Sequence, residues 1–153
     1  MNKEQKYNTL LALDIATTTG WAIMHNGNVI DTGHFTLRDM NHYHLQILEL
    51  IDLWKPCYVI AAKPTRFYNT VFLHGKYFGA AMVALGKRGL EFWMDKTAAG
   101  KPTLPVDSKM KKSIIGKGKC TKEEIMAFTG IPQEDESDSV MFCHYLEKTL
   151  NAE

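Results

Sequence analysis

The sequence predicts an α/β domain built on one mixed, five-stranded sheet with helices on both faces. Two patterns carry this expectation. Residues 10–37 read as three consecutive strands, joined by a Thr/Gly turn and then by an Asn-Gly hairpin signal. Beyond residue 40, amphipathic segments of helical length alternate with short apolar ones, the arrangement that lays parallel strands beside a meander. Size agrees. With 153 residues, 45% of them apolar and 23% charged, the chain suits one domain spanning residues 1–153 that needs no disulfide or metal staple.

Each element has its own signal. Residues 10–15 (LLALDI) form an apolar run that reads as a buried strand ending in Asp14. The turn ATTTG leads into a strand over 21–24, and Asn26-Gly27 turns it back into a third over 29–37. Leu45, Leu48, Ile51 and Leu53 mark an amphipathic helix over 41–54, stopped at Lys55-Pro56. Residues 58–61 make a short buried strand, 63–69 a loop, and 71–87 a helix closed by Arg88-Gly89. A fifth strand over 90–94 precedes a Gly/Pro/Ala-rich loop. Helices then follow at about 107–115, 121–128 and 135–150, separated by Gly116/Gly118 and by Gly130-Ile-Pro132.

Composition excludes several classes. Three cysteines, at 57, 120 and 143, are too few and too scattered for a disulfide framework or zinc knuckle. No apolar run approaches 18 residues, so no membrane partner is expected, and MNKEQKYNT lacks the apolar stretch of a signal peptide, which predicts a cytoplasmic protein. His42-x-His44, the one histidine pair with metal-like spacing, reads as a surface pair. A net charge of +1 argues at first against a nucleic-acid binder. That total conceals a segregation. Residues 101–122 hold seven lysines and one acid, Asp107, whereas residues 123–153 hold eight acids and one lysine. Two oppositely charged solvated faces would explain this. So would lysines gripping a polyanion beside carboxylates that hold metal ions against it.

The carboxylates narrow the choice. Asp14 ends an apolar strand, where it either caps the next turn or faces a site at the sheet's edge. Glu134, Asp135, Glu136 and Asp138 open the last helix, and the helix dipole accounts for one or two of them. Asp135 and Asp138 share a face at i, i+3; Glu134 and Asp138 do so at i, i+4, and both registers stay open. Hard divalent ions take oxygen ligands gathered from separate elements, which Asp14 and this helix would supply if they pack together.

These residues resemble the RuvC-type Holliday junction resolvases of the RNase H-like, retroviral integrase superfamily, across roughly residues 10–150. Four motifs carry the resemblance, in the family's order: residues 13–22 (LDIATTTGWA), the strand 58–61 with its Lys-Pro loop, residues 111–122 (KKSIIGKGKCTK), and residues 135–140 (DESDSV). The resemblance implies an RNase H-like fold and a homodimeric endonuclease of bacterial or phage-infected cells that cuts four-way or otherwise branched DNA. It implies two Mg²⁺ ions per site, with Mn²⁺ as the alternative, held by Asp14, Asp135 and Asp138. Lys111 and Lys122 would be the catalytic-domain lysines near the scissile phosphate. Lys109, Lys112, Lys117 and Lys119 would grip phosphates along the arms, Arg66 would bind DNA with them, and Phe67 and Tyr68 lie where the family touches the junction's centre.

One departure is serious. The family places a glutamate where this chain has Ala62, and no acid occurs between Asp52 and Glu91. Losing a metal-clamping carboxylate would remove turnover and spare the fold. The expectation is therefore a resolvase disabled by alanine in place of glutamate, with a non-catalytic branched-DNA-binding protein as the alternative. Asp14 and the Thr-rich turn also resemble the phosphate hairpin of actin-like ATPases and sugar kinases, but 153 residues cannot supply their second domain, so no nucleotide cofactor is expected.

Overall fold

The structure, a computed structural model, describes residues 9–64 and 68–152, without the side chains of residues 68–74. Strands β1 (Thr9–Asp14), β2 (Thr18–His25) and β3 (Asn28–Thr36) form the expected antiparallel meander. Asn26 and Gly27 both adopt positive φ, 50° and 84°, the twist a two-residue hairpin needs. β2 starts three residues before Trp21, so the turn shrinks to residues 15–17 and Gly20 becomes part of the strand. β4 (Tyr58–Ala61) lies parallel to β1, giving the order β3-β2-β1-β4.

The fifth strand is reduced to a single parallel bridge, Val59 to Phe92, beside a Trp93 N–H bond to the Val59 carbonyl. Beyond it the chain leaves the sheet. Asp95 accepts hydrogen bonds from the Tyr145 hydroxyl and the Lys109 ammonium, and β5 (Asp95–Lys96) pairs instead with β6 (Pro102–Thr103) inside the expected loop. Five helices complete the described chain: α1 (Met40–Trp54), α2 (Tyr68–Lys87), α3 (Asp107–Ile114), α4 (Lys122–Thr129) and α5 (Glu134–Asn151).

β1 is buried on both faces, and its alternation splits the core in two. Leu11 and Leu13 face α1 and α2, packing with Tyr43, Ile47, Ile51, Ala81 and Leu85. Leu10 and Ala12 face α5, packing with Val140, Met141, Phe142 and Leu146. The stripe of α1 differs from the expected one. Tyr43, His44, Ile47, Leu48, Leu50 and Ile51 are buried, while Leu45 and Leu53 are 48% and 72% exposed. A 3.6-residue period anchored on the pairs 43/44, 47/48 and 50/51 leaves 45 and 53 on the far side. His44 is thereby taken off the surface, between the Ala80 carbonyl and the Lys87 ammonium.

Candidate active site

The parallel register of β1 and β4 runs from Leu10 opposite Tyr58 to Leu13 opposite Ala61, so the next step sets Asp14 beside residue 62. By alternation both side chains face α5. Helix α5 can reach them only because Gly20 lies beneath its first turn. A Cβ at that position would stand 2.1 Å from the Asp135 carbonyl carbon. Polar clamps hold the turn down. The Gln133 side chain accepts from the Glu136 N–H, and Glu136 bonds Thr32 and His34 of β3 at 2.6 and 2.7 Å. Ser137 pairs with Thr129 of α4, and the Ser139 hydroxyl donates to the Asp135 carbonyl.

Thus fixed, α5 delivers Asp135 and Asp138 to Asp14. Burial first, and then the charges of Asp138, Asp135 and Asp107, push the Asp14 carboxyl well above the ordinary carboxylate range; a hydrogen bond with Asp135 adds to the effect. Asp138 is raised to about 6, chiefly by burial; Lys111 opposes this, and Asp107, Glu134 and Asp135 reinforce it. Asp14, Ala62, Lys63, Asp107, Lys111 and Asp138 line a cleft of about 180 Å³. Of the two registers left open by spacing, the contact falls to Asp135, which also accepts a bond from Gln133. Glu134 instead pairs with Lys122.

Asp107 is the site residue that sequence reasoning missed. It counted only as the single acid among seven lysines, yet it sits four residues before Lys111 and ion-pairs with it at 2.6 Å. Burial works against the charge on Lys111, but Asp107 and then Asp138 hold its ammonium above its ordinary range. The other lysines form a less open track than expected. Lys109 pairs with Asp95, Lys117 with Glu124 and Lys122 with Glu134. Lys112 and Lys119 are exposed and make no ion pair among the described residues. Gly116 serves as a helix stop, with a φ of 105°. Arg66 and Phe67 lie outside the described residues, as does the side chain of Tyr68, whose backbone opens α2.

No protein-family model and no curated protein sequence matches this chain. Solved structures do match. Thermus thermophilus RuvC aligns with a TM-score of 0.66 at 14% identity, over 94% of each chain. T. thermophilus RuvC in complex with Holliday junction substrate aligns with a TM-score of 0.71 at 15% identity, over 91% of this chain and 92% of that one. The chain has the RuvC fold. The expected α/β class therefore stands, with Asp14 closing β1 where Asp135 and Asp138 arrive from α5. Among the described residues no three acidic, histidine or cysteine side chains are drawn together closely enough to enclose a metal ion, and no helix is long and apolar enough to cross a membrane.

Proposed function

We propose that this chain is a structure-specific endonuclease that binds four-way or otherwise branched DNA and cuts it by Mg²⁺- or Mn²⁺-dependent phosphodiester hydrolysis. The observation that carries the reading is the meeting of Asp14 with Asp135 and Asp138 at the strand ends of a RuvC-like fold, where Asp14, Asp138 and Lys111 line one cleft and Asp135 bonds Asp14. The donor set suits a hard cation by its chemistry, because three carboxylates offer oxygen ligands and the burial of two of them disfavours their charge until a cation balances it; to enclose an ion they would have to draw closer than they stand here. Asp14, Asp135 and Asp138 would hold the ions, which when bound supply activation of water and stabilisation of the leaving oxygen.

The chain's own residues do the rest. The Lys111 ammonium, kept charged by Asp107, would meet the scissile phosphate, with Lys122 at the rim. Lys112 and Lys119, with Lys109 and Lys117 exchanging their carboxylate partners for phosphates, would hold the arms. Paired cuts call for two copies. Helix α2 leaves Gly75, Gly79, Met82, Val83 and Gly86 exposed along one side, a surface on which a homodimer could close.

Ala62 supports a second reading, a branched-DNA-binding module without turnover, or a resolvase disabled at that position. The deciding experiment measures binding to a synthetic four-way junction and to a duplex of the same sequence, then maps Mg²⁺-dependent cuts for this chain and its Ala62→Glu variant. We expect a junction preference of at least about tenfold, and paired symmetric nicks from at least one form. Junction binding without cleavage by either form would leave the binding module. Equal affinity for junction and duplex would end the reading altogether.

A further inference from the structure

We propose that Asp107 is the fourth carboxylate of this site, supplying from helix α3 the acid that residue 62 lacks. The inference rests on the nuclease reading above and deepens it, because it makes the chain a complete enzyme and not a disabled one.

The backbone brings the two positions together. Residue 62 follows directly on β4, beside Asp14, and Ala62 packs against the α5-side core without a polar atom to offer. One residue further, the Lys63 N–H donates to the Pro105 carbonyl at 2.7 Å. That bond ties the exit of β4 to the entry of α3, and Asp107 stands two residues beyond it. A carboxylate arriving from α3 therefore enters the cleft from the side where an acid on residue 62 would have reached in. Asp14, Ala62, Asp107, Lys111 and Asp138 all line that one cleft.

The ordinary explanations of Asp107 do not account for this placement. It is not the cap of its helix, since the N-cap position is Val106 and makes no side-chain bond. An acid in the first turn and an i, i+4 pair with Lys111 would serve an exposed helix equally well. Here the half-exposed carboxylate, paired with Lys111, lines the same cleft as Asp14 and Asp138. Like charges gathered in a half-buried cleft oppose one another, and a hard cation with oxygen ligands is what reconciles them. The i, i+4 spacing also keeps a lysine beside the fourth acid, so that one turn of α3 carries both an acid of the metal site and the ammonium that would meet the phosphate.

The test uses the full chain with Asp107→Asn, Ala62→Glu and the two combined. Mn²⁺ affinity is measured by titration calorimetry, nicking on a four-way junction in Mg²⁺, and junction affinity in EDTA. The unsubstituted chain should bind Mn²⁺ and nick. Asp107→Asn should weaken Mn²⁺ binding at least about tenfold and slow nicking about a hundredfold, while junction affinity in EDTA holds or tightens as a negative charge is removed. Adding Ala62→Glu to Asp107→Asn should restore both Mn²⁺ binding and nicking, which a merely structural role of Asp107 in α3 would not allow. Unchanged Mn²⁺ affinity and nicking in Asp107→Asn would overturn the proposal. So would losses that Ala62→Glu fails to rescue, or an unsubstituted chain that binds junctions but neither Mn²⁺ nor cuts. Loss of junction preference in every form would instead remove the nuclease reading beneath it.

Discussion

The two faces of the sheet are built on opposite terms. The face covered by α1 and α2 is a packed apolar layer in which the Tyr43 hydroxyl bonds Thr19 at 2.9 Å and His44 sits between Ala80 and Lys87, while the buried Trp54 indole N–H finds no partner among the described residues. The face covered by α5 is equally apolar along most of its length, but at the strand ends it gathers Asp14, Asp135, Asp138 and Asp107. There the helix is held by Gly20 beneath it and by Glu136 bonding β3, not by hydrophobic contact alone. One face supplies stability that the other gives up at a single point, a common division where binding or chemistry needs strained electrostatics.

Substitutions with opposite signs on the two faces should break this comparison most forcefully. Asp14→Asn removes the most strongly perturbed carboxyl, so junction nicking should fall by ~10³-fold or more while the melting temperature rises. A fall in both would mean that Asp14 stabilises the fold, contrary to its surroundings. On the other face, Leu85→Ala opens a cavity at a fully buried position and should cost about 3 kcal/mol in denaturant unfolding. Junction affinity, measured below the transition, should not change.

How much of this division was legible in sequence follows from its physics. The meander, β4 and all five helices announce themselves through apolar period and turn residues, since those patterns are local. Asp14 and the acid-rich start of α5 were visible because carboxylates stood out at the ends of apolar segments. Asp107 was not visible, because surrounding lysines made it look like one solvated charge; only the Lys63–Pro105 backbone bond, a contact between distant segments, turns it toward the site. The choice between Glu134 and Asp135 was equally hidden, for both spacings put an acid beside Asp138. The fifth strand was overread for the same reason: four apolar residues around Glu91 suggest a strand, while the partners of Asp95 that pull the chain off the sheet lie on α3 and α5.

The faces should also differ in their response to pH. Asp138 titrates near 6 in the folded chain against 3.8 for the free group, and Asp14 is raised well above that same value. The folded chain therefore holds protons that the unfolded chain has released, so stability must fall as pH rises from about 4 through 6. Asp95 and Glu124 are shifted downward and act in the opposite sense, but their contribution is complete above their free values of 3.8 and 4.5. Between pH 4.5 and 6.5 the α5-side carboxyls should dominate. In EDTA, unfolding free energy should decline across that window by on the order of 2 kcal/mol. Asp14→Asn should flatten the decline, whereas Leu85→Ala should leave it unchanged. An unchanged slope in Asp14→Asn would mean that the cluster does not titrate as a unit.

The smallest expected effect separates lysines that are already engaged from those that are not. Lys112 is exposed with no carboxylate partner among the described residues, whereas Lys117 is paired with Glu124. A free lysine that contacts a phosphate releases about one counterion, so Lys112→Ala should lower the slope of log K against log salt by roughly 0.9 on a four-way junction. Lys117 must first give up Glu124, and the freed carboxylate then repels the same phosphate. Lys117→Ala should therefore change the slope by clearly less than Lys112→Ala, and adding Glu124→Gln to a chain that keeps Lys117 should tighten binding at low salt. Equal slope changes for the two lysines would show that the ion pairs dissolve in the complex at no cost, and that the basic segment acts as one uniform track after all.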